Sequence, residues 1–501
     1  MTARATELEL KYEADAATSL PAFDRLPEVA GVRDAPAEHL EAEYYDTSDL
    51  RLIRAGITLR RRAGGHDAGW HLKLPAGPDS RREIRVPLGR SKTVPETLAR
   101  LVRVHSRGRE LRPVATISTQ RQRLVLVDAS GSELAEVASD EVMARALGDA
   151  ARVSRWREIE IELTGGGRKV LSAADRLLRA DGVSRAAQRS KLERALDLPG
   201  LPSSRQKLSA SSAAGEVVMA YLRDHVATLK SYDPLVRGDE PDSVHQMRIA
   251  SRRLRSTLQT FGRMFRDAEH LAAELRWLGH VLGAARDAEV LSGHLAELAA
   301  QVPAEQLLGP VQARITAHFA RVRADADADV AQMLDSARYF ALLDLIDEFL
   351  AAPPFTPAAD RPAGDVLPGA VRRTYKRTRR RMKRARRAPA GERQDLALHR
   401  ARRAAKRARY AGELAAPAFP AAGQFAKQMK KVQSVLGDHQ DSVIAREASR
   451  HIGIAAHLAG ENAFSYGLLY ERDDQATARL RREAWRTWQS VSRPRYRRWL
   501  A

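Results

Sequence analysis

The stretch ELELKYE near the N-terminus alternates charged and apolar residues, which is the pattern of a β-strand with one polar face. Glu7, Glu9 and Lys11 lie on one face of this strand, and Leu8 and Leu10 lie on the other. A face turned towards solvent would explain the pattern, because antiparallel sheets commonly have one wet face. Two carboxylates beside an ammonium group could instead bind a divalent metal ion and a phosphate.

Five further segments before residue 200 also place charge along one face of a predicted strand. They are TLRRR, HLKL, RREIRV, QRQRL and EIEIEL. The residues on those faces are Arg60, Arg62, His71, Lys73, Arg81, Glu83, Arg85, Arg121, Arg123, Glu158, Glu160 and Glu162. Some of these faces are acidic and others are basic, whereas a solvent-facing surface would mix the two signs at random. This sorting favours a closed barrel with an enclosed polar interior that holds phosphate by its cations and Mg²⁺ or Mn²⁺ by its carboxylates.

The composition indicates a polyanionic partner. The chain has 501 residues and a formal net charge of +21, with 84 Lys and Arg against 63 Asp and Glu. Nucleic acid, an anionic membrane surface or a phosphate polymer would each suit that balance. The absence of cysteine excludes disulfides, thiolate zinc sites and cysteine nucleophiles. Neither a secretory signal nor an apolar run of about 20 residues is present, so we expect a cytoplasmic protein without a membrane span.

The chain changes character near residue 200. Strand-like alternation ends there, and the segment 198–213 is rich in Pro, Ser and Gly, which predicts a linker. Apolar residues spaced by three and four follow it, which predicts an all-helical second half. The predicted domains are therefore residues 1–197 and 214–501. A second break at 351–367 divides the helical half into residues 214–350 and 368–501.

That helical half contains an internal repeat. HQMRIASRRLR begins at His245, and HRARRAAKRAR begins 154 residues later (399 − 245) at His399. LGAARD ends at Asp287, and LGDHQD ends at Asp441, which is the same offset. One register held over so many positions predicts a duplicated helical bundle.

Each copy carries a basic stripe along one helix face. Positions 0, 3, 7 and 10 of the two motifs fall on a narrow stripe at 3.6 residues per turn. The stripes consist of His245, Arg248, Arg252 and Arg255, and of His399, Arg402, Lys406 and Arg409. Like charges on one face repel, so the stripes favour an anionic ligand over a solvated face or pairing with acids. Arginine suits phosphate, and the 5% aromatic content disfavours stacking on single-stranded nucleic acid.

The paired H-x-x-R-x-x-x-[RK]-R-x-R helices, each followed by L-G-x-x-x-D, resemble the CHAD domain over residues 214–501. This resemblance implies a bundle with a basic channel between its halves that binds inorganic polyphosphate. The residues that we assign to this ligand are Tyr221, His245, Arg248, Arg252, Arg253, Arg255, Tyr375, Arg379, His399, Arg402, Lys406, Arg407 and Arg409. Asp287 and Asp441 are expected to orient the helix arginines rather than to catalyse a reaction.

The first half also resembles a known family. E-x-E-x-K, L-R-x-R, L-K, R-x-E, R-x-R, E-x-E-x-E and the Ser190–Lys191 pair follow one another in that order. This order is similar to that of the CYTH family, the triphosphate tunnel metalloenzymes, over about residues 5–197. Its members include inorganic triphosphatases, thiamine triphosphatases and class IV adenylate cyclases. The resemblance implies an eight-stranded antiparallel tunnel barrel.

The CYTH resemblance also implies roles for individual residues. The metal ligands would be Glu7, Glu9, Asp140, Glu160 and Glu162. The triphosphate would contact Lys11, Arg60, Arg62, Lys73, Arg121, Arg123 and Lys191, and the catalytic set would be Glu83, Lys11, Arg60 and Arg62. Two alignments stay open, namely whether Glu158 replaces a neighbour and whether Arg121 joins Arg123. Arg85 stands where many relatives have an acid, which leaves the number of metal ions open.

Together these patterns predict an α+β multidomain protein with an N-terminal β tunnel barrel carrying a few helices and a C-terminal all-α duplicated bundle. The predicted function is a Mg²⁺- or Mn²⁺-dependent inorganic triphosphatase fused to a polyphosphate-binding domain. The expected partners are tripolyphosphate and inorganic polyphosphate, and the expected location is cytoplasmic, at polyphosphate granules. The alternatives are a CYTH-type adenylate cyclase, a thiamine triphosphatase, and a non-catalytic protein that targets polyphosphate granules. The oligomeric state and the physiological substrate stay open.

Overall fold

A computed structural model describes residues 3–15, 17–77, 80–148, 152–187, 190–198 and 207–500. The chain divides into two compact units, Met1–Arg205 and Gln206–Ala501. Most of the predicted linker, at residues 199–206, lies outside the described residues, so its bounds stay a prediction.

The first unit is a closed barrel of eight antiparallel strands. Around the barrel the strands run in the order β1, β5, β4, β3, β2, β6, β7 and β8. Their bounds are β1 Ala3–Ala14, β2 Gly31–Asp46, β3 Thr58–Ala63, β4 Gly69–Pro75, β5 Ser80–Val86, β6 Arg112–Val127, β7 Glu133–Ala146 and β8 Arg152–Leu163. The predicted eight-stranded antiparallel barrel is confirmed.

Short helices cover the apolar outer faces of these strands and close one end of the barrel. They are α1 Arg51–Arg54, α2 Glu96–Leu101, α3 Arg103–Ser106, α4 Arg168–Ala180 and α5 Lys191–Ala195. Trp70 and Leu72 of β4 pack on Leu98 of α2, and Ile161 of β8 packs near Val170 of α4. Because side chains alternate along a strand, burying these residues outside turns the charged residues of the same strands inward.

Strand β1 closes the barrel by dividing its length between two neighbours. Its first half pairs with β5, so that Glu7 lies opposite Arg81, and its second half pairs with β8, so that Glu9 lies opposite Glu162 and Lys11 opposite Glu160. This register brings the acids of the first and last strands together.

The second unit is helical. Its nine α-helices, counted over the described residues, are α6 Ala214–Arg237, α7 Ser243–Phe261, α8 Glu269–Ala300, α9 Val311–Leu334, α10 Ala337–Ala351, α11 Ala363–Arg387, α12 Glu392–Ala415, α13 Pro420–Leu458 and α14 Phe464–Val491. Four helices, α6–α9, precede α10, and four, α11–α14, follow it, with the longest helix third in each set, which is the order that a duplication predicts. The all-helical second half is confirmed, and the bounds of the two copies stay a prediction. Helix α7 packs on α12, so the two basic motifs meet. In the described part of the chain, no helix has the length and apolar character to traverse a bilayer.

Candidate functional site

The barrel interior holds a cavity of about 240 Å³. The described residues that line it are Glu7, Glu9, Lys11, Tyr44, Thr58, Arg60, Arg62, His66, Asp67, Lys73, Arg81, Glu83, Arg85, Arg121, Glu136, Glu160, Glu162, Thr164, Ser190 and Lys191. One end of the interior is closed by apolar side chains, where Leu192 of α5 packs with Ile117, Val142 and Ala144. The charged cavity therefore continues into an apolar plug.

The arginines of β3 have donors that no protein group uses. Arg60 donates from Nη1 to the hydroxyl of Tyr44 at 3.3 Å, and Arg62 forms an ion pair with Asp67. The Nε atoms of Arg60 and Arg62 are buried and have no hydrogen-bond partner among the described residues. Burial lowers the pKa of Arg62 to about 9, and the charges of Arg60 and Arg121 add to this shift. Buried unpaired donors are uncommon, so this wall suits an anionic ligand.

One acidic cluster, formed by Glu7, Glu9 and Glu162, has the donors that a divalent metal ion needs. One oxygen of each carboxylate lies within 4.8 Å of the others. Burial raises the pKa of Glu7 to about 7, with Lys73 opposing the shift and the neighbouring acids adding to it. Burial also raises the pKa of Glu162. Three hard oxygen ligands with incompletely balanced charge fit Mg²⁺ or Mn²⁺.

A second acidic cluster consists of Asp140, Glu158 and Glu160, and it is filled by the protein's own cations. The Nζ atom of Lys191 lies 2.8, 2.7 and 2.8 Å from oxygens of these three residues, in that order. Arg121 donates to Asp140 at 2.8 and 2.7 Å and to Glu160 at 2.6 Å. Burial opposes ionisation of Glu160, but these cations and Lys11 outweigh it and hold the pKa of Glu160 well below its usual range.

Glu83 is held by a histidine. Nδ1 of His71 lies 2.9 Å from Oε1 of Glu83, and both side chains are only 1% exposed. Burial alone would raise the pKa of Glu83, but the hydrogen bond from His71 and the charge of Lys73 hold this pKa well below its usual range. Burial lowers the pKa of His71 to about 4. Arg85 pairs with Glu83 as well, so the acid is ionised and fixed in place.

In the helical unit, Arg248 and Arg252 of α7 meet Arg402 and Lys406 of α12. Burial lowers the pKa of Lys406 to about 6, and the charges of Arg252, Arg402 and Arg248 add to the shift. His245 and His399 flank this group, and burial lowers the pKa of both. We call Arg248, Arg252, Arg402 and Lys406 the interhelix cation cluster.

The L-G-x-x-x-D motifs make room for the arginines of this cluster and orient them. Arg248 donates to Asp287 at 2.9 Å, as expected for an orienting acid. A Cβ atom at Gly283 would lie 3.3 Å from Nη2 of Arg248, and one at Gly437 would lie 3.5 Å from Nε of Arg402. The guanidinium group therefore packs against the glycine in each copy, and a Cβ atom would be tight at Gly283 but an ordinary contact at Gly437.

Comparison with protein-family models matches the CYTH domain at residues 5–196 and the CHAD domain at residues 220–450. The uncharacterized proteins MT2285 and Rv2226 from two strains of Mycobacterium tuberculosis are each 37% identical to this chain, over 96% of this chain and 95% of theirs. The chain belongs to the family in which a CYTH domain precedes a CHAD domain. Both resemblances are thereby confirmed, and the CYTH family comprises triphosphatase-like tunnel enzymes whose chemistry implies a divalent metal ion.

Solved structures also resemble single parts of the chain. PptA from Streptomyces chartreusis is 20% identical, with a TM-score of 0.47, and the match covers 56% of this chain and 100% of that one. The CHAD domain from Ricinus communis is 27% identical, with a TM-score of 0.46, over 56% of this chain and 93% of that one. HpAC1 from Hippeastrum, described with a dominant triphosphatase activity, is 16% identical, with a TM-score of 0.26. The match covers 40% of this chain and 99% of that one.

In the CYTH domain, the structure brings most of the predicted site residues to one cavity but divides the predicted metal ligands. Glu7, Glu9 and Glu162 form one cluster, whereas Asp140 and Glu160 join Glu158 in the other. Two alignments were left open by the sequence. Glu158 lies in the same cluster as Asp140 and Glu160, so it adds to its neighbours rather than replacing one. Arg121 lies in the cavity, whereas Arg123 contacts Glu38 at 3.4 Å and Glu136 at 3.2 Å.

Sequence reasoning missed several residues of the CYTH site. Alternation does place His71 and Arg81 on the charged strand faces, but it assigns neither of them a role in the site. Tyr44 and Asp67 gave no such signal, because their arginine partners lie on another strand or across a loop.

In the CHAD domain, several predicted polyphosphate residues lie away from the interhelix cation cluster. Arg253 and Arg409 both pair with Glu413, at 3.1 and 2.6 Å, so each already has an acidic partner. Tyr375 is buried against Trp488, with ring centroids 6.0 Å apart. The other placements are Tyr221 beside His225, Arg379 exposed on α11, Arg255 near Arg403, and Arg407 bonded to Gln259. Each polyphosphate role stays a prediction.

Proposed function

We propose that the CYTH domain hydrolyses inorganic tripolyphosphate with the help of Mg²⁺ or Mn²⁺. The observation that carries this proposal is the charge of the tunnel lining. Eight Lys and Arg side chains face seven Asp and Glu side chains among the described lining residues, which is a formal charge of +1. A divalent ion would raise this charge to +3. That charge would attract a short, highly charged phosphate chain, whereas it would contribute little to binding of a neutral ligand.

The chain's own residues would bind and orient the substrate. Arg60 and Arg62 offer buried Nε–H groups to phosphate oxygens, and Arg121 and Lys73 add positive charge across the cavity. Such fixed donors stabilise the negative charge that develops as a phosphoanhydride bond breaks. Glu7, Glu9 and Glu162 would hold the metal ion, which would supply further charge neutralisation and polarise the phosphate.

Glu83 is the group best placed to act on water. Its carboxylate is ionised and fixed by His71 and Arg85, so it would accept a hydrogen bond from the water molecule that attacks the terminal phosphorus and orient it, and the proton of that water would pass to a phosphate oxygen of the product. A new P–O bond forms to that water, the bridging P–O bond breaks, and pyrophosphate leaves with the bonding electrons. Neither a cysteine nucleophile nor a Walker loop exists in the sequence, which favours direct hydrolysis over a covalent intermediate.

A phosphate-release assay with Mg²⁺ or Mn²⁺ tests this function. We expect tripolyphosphate to be hydrolysed faster than ATP and thiamine triphosphate, and Glu83→Gln to reduce the rate by about 100-fold or more. Glu141→Gln is the matched control, because Glu141 is exposed and adjoins Asp140 on the same strand. Preferential cleavage of thiamine triphosphate, formation of cyclic AMP from ATP, or no turnover at all would contradict the proposal in favour of the corresponding alternative.

We also propose that the CHAD domain binds inorganic polyphosphate through the interhelix cation cluster. Burial and the charges of three arginines from two helices lower the pKa of Lys406, which means that positive charge is concentrated there beyond what the nearby acids balance. A thin chain of phosphates can follow a groove between two helices, whereas a DNA duplex is much wider. Association with polyphosphate granules would follow from this affinity.

Paired variants test the binding site. The double variant Arg252→Ala and Lys406→Ala should weaken binding of long-chain polyphosphate strongly and flatten its salt dependence, because fewer counterions are released. The control Arg253→Ala and Arg409→Ala also removes two cations, but these are already paired with Glu413, so affinity should change little. Equal losses in the two double variants, or tighter binding to a DNA duplex than to polyphosphate, would contradict the proposal.

A further inference from the structure

The second acidic cluster contains a lysine ammonium in the position of a metal ion. Lys191 begins helix α5, and its side chain is only 8% exposed. Its Nζ atom lies within 2.8 Å of one oxygen from each of Asp140, Glu158 and Glu160. It donates a hydrogen bond to Glu160, and its contacts with Asp140 and Glu158 are ion pairs at 2.8 and 2.7 Å.

The two acidic clusters differ in how their charge is balanced. Around Asp140, Glu158 and Glu160 stand three cations at hydrogen-bond distance, namely those of Lys191, Arg121 and Lys11. The three carboxylates are therefore balanced by three cations, so no excess negative charge remains there to attract a further cation.

The cluster formed by Glu7, Glu9 and Glu162 is balanced less closely. Glu7 pairs with Lys73 and, at 3.5 Å, with Arg85, whereas the nearest cations to Glu9, Lys11 and Arg81, are 3.5 and 3.7 Å away. Among the ion pairs of the described residues, none includes Glu162. Glu162 is thus available to an external cation, and Glu9 meets its own cations only at distances longer than an ordinary hydrogen bond.

We propose that Lys191 replaces a divalent ion in the cluster of Asp140, Glu158 and Glu160, so that the substrate-free tunnel holds one metal ion, at Glu7, Glu9 and Glu162. The proposal rests on the proposed function only for the divalent character of the ion. A covalently attached cation cannot be lost to a chelator, so one side of the tunnel keeps its charge whatever the metal supply. Lys191 is then a charge-balancing residue whose donors are engaged before substrate arrives.

The position of Lys191 explains how its flexible side chain can hold the ammonium group in the place of a metal ion. Ser190 caps α5 by accepting a hydrogen bond from the N–H of Glu193 at 3.1 Å, and Leu192 is buried in the apolar end of the barrel. The helix is anchored on both sides of its first turn, so the ammonium group is delivered to a fixed point.

The test is a count of bound Mn²⁺ in the full chain without substrate, by electron paramagnetic resonance and by calorimetry. We expect one ion per wild-type chain and two per Lys191→Met chain, because the variant removes the cation that contacts all three carboxylates and leaves Glu158 without an ion-pair partner among the described residues. Lys191→Arg keeps the positive charge and should bind one ion. Glu162→Gln should lower the affinity of the single wild-type site by tenfold or more.

Each outcome decides the proposal. Two ions bound to the wild-type chain, one ion bound to folded Lys191→Met, or unchanged affinity in Glu162→Gln would overturn it. If Lys191→Met unfolds without metal, Mn²⁺ should restore its circular dichroism spectrum, because binding to the folded state stabilises that state. A variant that stays unfolded with Mn²⁺ would also overturn it. Metal counting needs no turnover, so a failed phosphate-release assay would leave this result intact.

Discussion

Binding of polyphosphate by the CHAD domain should take up a proton at Lys406. In the free protein, burial and the charges of Arg252, Arg402 and Arg248 lower its pKa to about 6. At pH 8 only about 1% of Lys406 is then protonated. A bound polyanion screens the neighbouring arginines and favours the ammonium form, so its pKa returns towards the ordinary value of 10.5. We therefore expect uptake of about one proton per chain at pH 8 and of about 0.1 proton at pH 5.

The same linkage sets the pH dependence of affinity. Lys406 is charged in the free protein below pH 6 and must gain its proton on binding above that pH. Affinity should therefore fall as pH rises, by about 50-fold between pH 6 and pH 8, which corresponds to about 2.3 kcal/mol. For folding, the sign is opposite. The unfolded chain binds this proton more tightly than the folded one, so the contribution of Lys406 to stability increases from about pH 6 to about pH 10.

Calorimetric titration of long-chain polyphosphate at pH 8 in Tris and in HEPES measures the proton count, because the two buffers ionise with different enthalpies. Lys406→Arg is the control, since arginine stays charged and should show almost no proton uptake at this pH. Burial lowers the pKa of His245 and of His399, and the control retains both, so any contribution from them is the same in the two proteins. Binding heats that do not depend on the buffer, or equal proton counts for the wild type and the control, would refute this reasoning.

Three further predictions concern other parts of the chain. Asp46→Ala should destabilise the barrel by about 2 kcal/mol, because the buried Asp46 carboxylate accepts three backbone N–H bonds around the start of α1; an unchanged melting temperature in calorimetry would contradict this. The double variant Glu7→Gln and Glu9→Gln should reduce hydrolysis by orders of magnitude with an unchanged circular dichroism spectrum. Undiminished turnover in this variant would contradict the assignment of the metal site. Gly283→Val should displace Arg248 and weaken polyphosphate binding, as titration would measure, while thermal stability changes little.

Alternation in the sequence predicts the charged interior correctly because a strand's period of two fixes which face a residue occupies. It does not predict how the interior acids divide. The separation of Glu162 from Glu160 depends on β1 pairing with β8 and on Lys191 arriving from a helix beyond β8. Both depend on tertiary contacts, which no local sequence pattern predicts.

The helical half follows the same logic. The repeat offset predicts that α7 and α12 are equivalent, and their contact brings Arg252 to Lys406. Helical spacing places Arg252 on the basic stripe and Arg253 off it, but it does not identify an acidic partner for Arg253. Only the packing of α7 on α12 places Glu413 beside Arg253.

The divided pairing of β1 also governs when the metal site can exist during synthesis. Glu9 comes from the first strand to leave the ribosome, and its partner Glu162 comes from the last strand of the barrel. Closing a loop of this length costs about 4 kcal/mol of chain entropy beyond a constant, so their pairing has a high contact order and is expected late in folding. An unfinished barrel would hold single carboxylates, each with weak affinity for metal. Tight Mn²⁺ binding would consequently report that the barrel has closed, and a nascent chain would acquire it only once β8 has been made.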